Sequence, residues 1–134
     1  MMGRRQSREL AMQLLFQTEF TPKGDWELAL SNFRQNSPAP AEVWEYAIEL
    51  LNGVKNHLKD IDQLIERHSA HWKLNRMALV DLSVMRIAVY ETKFASEPLP
   101  PAVAIDEAIE ICKKFGTLDS GSFVNGILDQ IVKQ

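Results

Sequence analysis

Three arginines stand within the first eight residues of the chain, and no acidic residue stands among them. Arg4, Arg5 and Arg8 share one partly exposed flank of a predicted helix with apolar and aromatic side chains. A guanidinium binds phosphate oxygens through paired hydrogen bonds and stacks on nucleobases. Because like charges without an acidic partner repel each other, we interpret this cluster as a binding site for a polyanion.

A second group of candidate residues surrounds the turn at 115–117. Lys113 and Lys114 precede the turn and add positive charge. The helix predicted to follow, near Ser120, offers free backbone amides of the kind that bind phosphate. This turn and the arginine cluster together indicate an RNA-binding surface, and we expect the fold to bring them together on one face.

Aromatic and amide side chains complete the predicted surface. Single-stranded RNA is read through bases that stack on aromatic or arginine side chains. Phe16 and Phe123 are the candidate platforms, and the amide of Asn125 can donate to and accept from a base edge. A competing interpretation stays open, in which Phe16 and Phe123 belong to the core and Asn125 only stabilises the turn.

The residue types that enzymes use for catalysis or metal binding form no convincing site in this sequence. His68 and His71 lie near Glu66 but lack a third convincing metal ligand, and Cys112 lies on an apolar helical face, where a thiol is a small hydrophobe. The six glycines are scattered and form no phosphate-binding loop. We therefore expect no enzymatic activity, cofactor or metal. Paired carboxylates are interpreted as solvated faces: Asp60 with Asp62, and Asp106 with Glu107.

Length and composition are those of a folded globular protein. The chain has 134 residues, of which 46% are apolar and 25% charged, which suits one domain or two packed halves. One cysteine excludes a disulfide framework and fits a reducing, cytoplasmic compartment. No apolar run approaches the roughly 20 residues that span a bilayer. No apolar core follows the arginines, so we expect the amino-terminal segment not to be a secretory signal. A net charge of −3 taken alone argues weakly against a nucleic-acid binder, but a short basic tip on an acidic body favours local binding of a polyanion.

Helical periodicity dominates, and no stretch alternates as a strand does. We predict an all-α protein of about seven helices in two packed subdomains, about 1–70 and 71–134. The predicted helices cover about 3–19, a short segment after Asp25, 41–68 with a break near Lys59 and Asp60, 76–95, 102–115 and 122–133.

The predicted helix 76–95 is apolar nearly all round, as expected for a helix in the middle of a bundle. Asn75 is its expected cap. Its polar exceptions are interpreted as places where it meets solvent or a partner: Asp81, Ser83, Arg86 and Glu91.

Two glycines carry structural expectations. Gly116 stands where a helix C-cap glycine belongs. Gly126 lies inside the last predicted helix, where glycine costs roughly 1 kcal/mol relative to alanine. We expect the close approach of another helix to compensate for that cost.

Three segments of the chain resemble the NusB family of bacterial transcription antitermination factors. They are RRQSRELAMQLLF at 4–16, VMRIAVYE at 84–91, and VAIDEAIEICKKFG with SFVNGILD within 103–129. The resemblance covers the whole length and implies an all-helical fold with two subdomains. It also implies binding of the boxA element of ribosomal leader transcripts together with NusE, a ribosomal protein, and loading onto RNA polymerase with other Nus factors.

The resemblance also implies roles for particular residues. The arginine cluster and Phe16 occupy the RNA-contacting first helix, whereas Phe123 and Asn125 fall in a second RNA-facing motif. Asp81 matches an acidic position on the surface that faces NusE. Two alternatives stay open: an RNA-binding module that acts with a separate rRNA methyltransferase, and a plain protein-interaction module. The choice between monomer and homodimer is also open.

Overall fold

Helix α5, Leu79–Val89, lies at the centre of the fold. Every residue from Asp81 to Val89 is buried. The helix packs against the helices Met2–Thr18, Ala41–Asn56, Leu58–His68, Pro101–Phe115 and Ser120–Val132. This position follows from its sequence, because a helix that is apolar on all sides is stable only when other helices cover all of them. The remaining elements are therefore best described by how they surround α5.

The computed structural model describes residues 2–70 and 72–133. Within them the chain forms seven α-helices and no strand, as predicted. None of these helices is both long and apolar enough to cross a membrane. The helices around α5 are α1 Met2–Thr18, α2 Trp26–Asn36, α3 Ala41–Asn56, α4 Leu58–His68, α6 Pro101–Phe115 and α7 Ser120–Val132.

Several helix boundaries differ from the predictions. The break between α3 and α4 falls at His57, two residues before the predicted site. The chain before α5 forms a short 3-10 turn, Leu74–Arg76, and Ala78 precedes the helix in an extended conformation. Asn75 therefore does not cap α5, because the 3-10 turn uses that residue before the helix begins.

The carboxyl end of α5 widens into a π-helical turn, Tyr90–Phe94. The backbone N–H of Ala95 donates to the carbonyl of Tyr90 at 2.9 Å, which is the five-residue spacing of a π-helix. Gly53 of α3 allows the Tyr90 ring to pack closely, since a Cβ at Gly53 would collide with that ring. The π turn is thus held against α3.

One hydrophobic core joins both predicted subdomains. It includes buried residues of α1, α3, α4, α5, α6 and α7, and α1 packs on both α3 and α5. Helix α2 contributes no buried residue and lies at the periphery. A boundary near residue 70 stays a prediction.

The four polar residues of the α5 segment do not mark an exposed surface. All four are buried: Asp81, Ser83, Arg86 and Glu91. The interpretation that they mark contact with solvent is therefore wrong. Arg86 binds both oxygens of Asp62 at 2.9 and 3.0 Å and contacts Glu19 at 3.0 Å. A charge at the centre of a bundle requires such partners, and the surrounding helices supply them.

Only one of the two singled-out glycines agrees with its prediction. Gly116 is the C-cap residue of α6, as predicted, but its φ of −98° is negative, so it is not needed for a left-handed conformation. It is needed for space, because a Cβ there would lie 2.5 Å from Ser120 Oγ and 2.9 Å from the carbonyl oxygen of Cys112. A Cβ at Gly126 would meet no atom within 4 Å, so the expected close helix approach is wrong.

Candidate nucleic-acid interface

Arg5 is held by an acidic residue that is distant in sequence. Its Nε donates to Oε1 of Glu107 at 3.0 Å and its Nη2 donates to Oε2 at 2.7 Å. The side chain of Arg5 is nevertheless 49% exposed. The expectation that the arginines lack an acidic partner is therefore wrong. The solvated-face interpretation of Glu107 is wrong too, because an ion pair between α1 and α6 occupies its carboxylate.

Arg8 is the buried member of the cluster. Its Nε lies 3.0 Å from both oxygens of Glu91, and its Nη1 donates to Glu107 at 3.3 Å. Burial opposes the charge on Arg8, but the hydrogen bond to Glu91 and the charges of Glu91, Tyr46 and Glu107 together outweigh it, so the pKa of Arg8 is raised. With a side chain only 7% exposed, Arg8 presents almost no surface to a ligand in this conformation.

Arg4 lies on an aromatic ring. Its guanidinium carbon is 3.6 Å from the centroid of the Tyr46 ring, which is a cation–π arrangement. The hydroxyl of Tyr46 donates to Glu91, and burial together with this hydrogen bond raises the pKa of Tyr46 to about 12. Helix α3 therefore supplies one side of the cluster through a residue that the sequence analysis did not single out.

An open cleft of about 980 Å³ is formed around this cluster. Its charged lining includes three arginines and four glutamates: Arg4, Arg5, Arg8, Glu49, Glu91, Glu97 and Glu107. Acidic side chains thus offset the basic ones, and the cleft is not a uniformly positive channel. Binding of a polyanion here depends on which individual guanidinium groups remain exposed.

The lysines before the turn lie beside the same helix. Nζ of Lys114 is 3.0 Å from Oε1 of Glu9, and Nζ of Lys113 is 3.2 Å from Glu110 within α6. Together with the contacts of Arg5 and Arg8 to Glu107, the Glu9–Lys114 pair defines what we call the α1–α6 seam. Ion pairs between long side chains therefore join α6 to the first helix along this seam.

Ser120 has a local structural role. Its side chain is buried, and its Oγ accepts a hydrogen bond from the backbone N–H of Thr117 at 2.9 Å. The hydroxyl is thus occupied by the turn and is not presented to RNA. The backbone part of the prediction is untouched, because no side chain caps the amino end of α7.

The two candidate aromatic platforms differ in exposure. Phe16 is 38% exposed and lies 5.6 Å from Phe20, ring centroid to centroid. Phe123 is half-buried and meets Trp72 edge-on at 6.2 Å. Asn125 is exposed on α7. Phe16 and Asn125 are therefore accessible to a ligand, whereas Phe123 packs partly against the core.

Helical geometry aligns part of this surface. At about 100° per residue, Arg5, Glu9 and Phe16 fall within roughly 40° of one another around α1. The rise of about 1.5 Å per residue separates Arg5 from Phe16 by roughly 16 Å along the axis. A half-exposed guanidinium, the Lys114 ammonium beside Glu9 and an exposed ring therefore follow one stripe of α1.

The residues considered for catalysis or metal binding have surroundings that are common for structural residues. Cys112 is buried, and burial, with the charge of Asp81, raises its pKa to about 12. Nδ1 of His68 lies 2.8 Å from the carbonyl oxygen of Leu64, while His71 lies outside the described residues. Within the described ranges, no three His, Cys, Asp or Glu side chains are grouped to hold a metal ion.

Comparison with known sequences places the chain beside one family. The profile described as the NusB family matches residues 5–133. The transcription antitermination protein NusB of Bdellovibrio bacteriovorus is 52% identical over 131 residues, which cover 98% of this chain and 96% of that protein. The NusB protein of Desulfatibacillum aliphaticivorans is 51% identical over 128 residues, which cover 96% of this chain and 88% of that protein.

Solved structures agree with this likeness. T. maritima NusB superposes with a TM-score of 0.85 at 43% identity, covering 98% of this chain and 91% of that one. The crystal structure of the antitermination factors NusB and NusE in complex with dsRNA matches with a TM-score of 0.79 at 26% identity. That match covers 99% of this chain and 98% of the other.

Proposed function

The chain belongs to the NusB family, and we propose on that basis that it is a transcription antitermination factor that binds boxA-type single-stranded RNA together with NusE. The observation that carries this proposal is the α1–α6 seam with its exposed cations. Arg5 keeps half of its side chain exposed, and Lys114 lies on the same stripe. Phosphate contacts of this kind supply most of the sequence-independent affinity for nucleic acid.

Residues along the surface take different parts in this proposal. Arg4, Arg5, Lys113 and Lys114 contact phosphates, because their charged ends are exposed. The ring of Phe16 stacks on a base. Arg8 supports these contacts from below through its pairs with the carboxylates of the cluster, and does not itself meet RNA.

The second motif acts through the exposed edge of α7. Asn125 reads a base edge, and the backbone amides at the start of α7, after Asp119, receive a phosphate. Phe123 offers the exposed part of its ring. Ser120 serves this motif indirectly by shaping the turn.

NusE and RNA polymerase are the proposed protein partners. The Oδ1 atom of Asp81 is buried and has no hydrogen-bond partner among the described residues, so an outside donor that reaches it would relieve an unfavourable state. This supports the neighbourhood of Asp81 as the side that faces NusE. Glu91 has a structural role in this proposal, because its carboxylate is already occupied by Arg8 and Tyr46.

The proposed factor works without catalysis in the cytoplasm. The buried thiol of Cys112 is protonated at neutral pH because its pKa is raised to about 12, and a thiolate is the reactive form of cysteine. The function thus consists of binding RNA and recruiting proteins, and needs no cofactor.

The proposal is tested by measuring RNA binding with and without NusE. Fluorescence anisotropy with a labelled boxA RNA should show tighter binding than with a scrambled RNA of equal length. The Arg5→Ala variant should bind more weakly and lower the slope of log K against log salt by about 0.7, the value for one phosphate on a single strand. Arg67→Ala, an exposed arginine on α4, is the matched control. Equal affinity for boxA and scrambled RNA, even with NusE present, contradicts the proposal.

A further inference from the structure

Glu107 is the acidic residue that two arginines of α1 share. Both of its oxygens accept hydrogen bonds from Arg5, at 3.0 and 2.7 Å, and Oε1 also accepts one from Arg8 at 3.3 Å. Hydrogen bonding to Arg5 holds the pKa of Glu107 below its ordinary value. Glu107 is therefore ionised at neutral pH and lies directly against the half-exposed guanidinium of Arg5.

The geometry leaves part of Arg5 open to a second anion. A guanidinium carries five N–H donors, and Glu107 uses one at Nε and one at Nη2. The other donors are not used by Glu107, and the side chain that carries them is half exposed. A phosphate that binds them comes close to the Glu107 carboxylate, and like charges at such a separation repel each other.

The two arginines depend on Glu107 to different degrees. Arg8 keeps its pair of 3.0 Å contacts with Glu91 when Glu107 is neutral. Arg5 has Glu107 as its hydrogen-bond partner across the helices. A change at Glu107 therefore acts mainly on the exposed guanidinium and leaves the buried pair in place.

We propose that Glu107 sets the RNA affinity of this interface by competing with phosphate for the Arg5 guanidinium. The inference rests on the proposed RNA-binding function and adds a determinant of its strength. Phosphate contacts carry no sequence information. An internal carboxylate on Arg5 thus weakens binding to all RNA and leaves base contacts to contribute a larger share of the affinity.

The test compares Glu107→Gln with Asp106→Asn. Both substitutions remove one negative charge at adjacent positions of α6, but Asp106 is exposed and is not part of the α1–α6 seam. Glu107→Gln should tighten binding to boxA and scrambled RNA alike by roughly two- to fivefold, the size expected for an exposed ion pair. The salt slope should steepen by up to about 0.7, whereas Asp106→Asn should change both quantities less.

A second pair of variants assigns the effect to Arg5. In an Arg5→Ala background, Glu107→Gln should give no gain beyond that of Asp106→Asn, because the guanidinium for which phosphate competes is gone. Thermal unfolding followed by circular dichroism confirms that each variant is folded before its affinity is compared.

The outcomes separate the inference from the proposed function. Weaker binding by Glu107→Gln overturns the inference, because it means that the carboxylate positions Arg5 for RNA. A gain equal to that of Asp106→Asn, or one that persists without Arg5, also overturns it. If the wild-type protein shows no preference for boxA RNA, the proposed function is contradicted. If the wild type clearly prefers boxA RNA but Glu107→Gln binds RNA with unchanged affinity, only the inference is contradicted.

Discussion

Arg8 and Glu91 form a buried ion pair across 83 positions of sequence, with Nε of Arg8 3.0 Å from both carboxylate oxygens. Tyr46 donates a further hydrogen bond to the same carboxylate. Arg8 lies in the segment that the sequence predicts to bind RNA, but it is a structural residue that joins α1 to the end of α5. Loss of RNA binding after a change at Arg8 would thus reflect a damaged fold rather than a lost phosphate contact.

Arg8→Ala should therefore destabilise the protein strongly. Removing one partner of a buried pair leaves an uncompensated charge and costs about 3–5 kcal/mol. Arg5→Ala, which breaks an exposed pair, should destabilise the protein far less, because solvent screens that pair. Urea unfolding followed by circular dichroism measures both free energies of unfolding. Similar losses for the two variants would show that Arg8 is not buried as described.

Alanine at the two glycines should have opposite effects. At Gly116 the new Cβ would lie 2.5 Å from Ser120 Oγ and 2.8 Å from Ser120 Cβ, and such overpacking costs about 1–3 kcal/mol. At Gly126 there is open space, so alanine should stabilise α7 by up to about 1 kcal/mol through its higher helix propensity. Thermal midpoints of Gly116→Ala and Gly126→Ala give the signs. A stable Gly116→Ala variant would contradict the close approach of Ser120.

Stability in acid should depend on Glu107. Its pKa is lowered in the folded protein by Arg5, so the unfolded chain takes up the proton at a higher pH than the folded one. The stabilisation is present above the unfolded pKa of about 4.3 and is lost as pH falls through the folded pKa. Urea midpoints between pH 6 and pH 3, in steps of about half a unit, should fall less steeply for Glu107→Gln than for wild type. Asp106→Asn is the control, and a wild-type-like profile for Glu107→Gln would disprove the linkage.

Cys112 should resist thiol reagents in the folded protein. It is buried, and burial raises its pKa to about 12, so both access and thiolate formation are suppressed. A chromogenic disulfide reagent at about pH 8, below the unperturbed thiol pKa of about 8.5, should label it only after denaturant is added. Rapid labelling without denaturant would place the thiol at the surface.

Alanine substitutions at Phe16 and Phe123 should differ in their effects on RNA affinity and folding stability. Phe16→Ala removes an exposed ring and should weaken RNA binding by about 1–3 kcal/mol, the range for one stacked base, with little loss of folding stability. Phe123→Ala removes a ring that packs on Trp72 and should lower folding stability as well. Leu118→Ala, at a fully exposed residue, is the control for both. Full RNA affinity in Phe16→Ala would exclude Phe16 as a platform.

The helices could be predicted because their determinants are local. Apolar spacing of three and four residues marks α1, α3, α6 and α7, and prolines separate α6 from the preceding turn. The boundaries of α5 were missed because a 3-10 turn and a π turn flank it. Both turns depend on tertiary contacts, such as the Tyr90 ring against Gly53, which no local pattern shows.

The sequence predicts which residue types form the candidate site, but it does not predict which side chains pair with each other. The exposed positions Arg5, Phe16 and Asn125 agree with the sequence interpretation as far as accessibility is concerned. Glu107 was interpreted as part of a solvated face, because its partner Arg5 lies 102 positions away. Periodicity assigns a residue to a face of its helix, but it does not say which other helix covers that face.

The sequence by itself determined the helical class, the buried central helix and the basic amino-terminal segment, because spacing and side-chain chemistry act over a few residues. Only the tertiary structure decided which arginines stay available. Ion pairs from α1 to the end of α5 and to α6 leave Arg8 buried on Glu91 and Arg5 half exposed on Glu107. The physical reason is that burial demands a charge partner whereas exposure does not, and burial is settled only when distant helices meet.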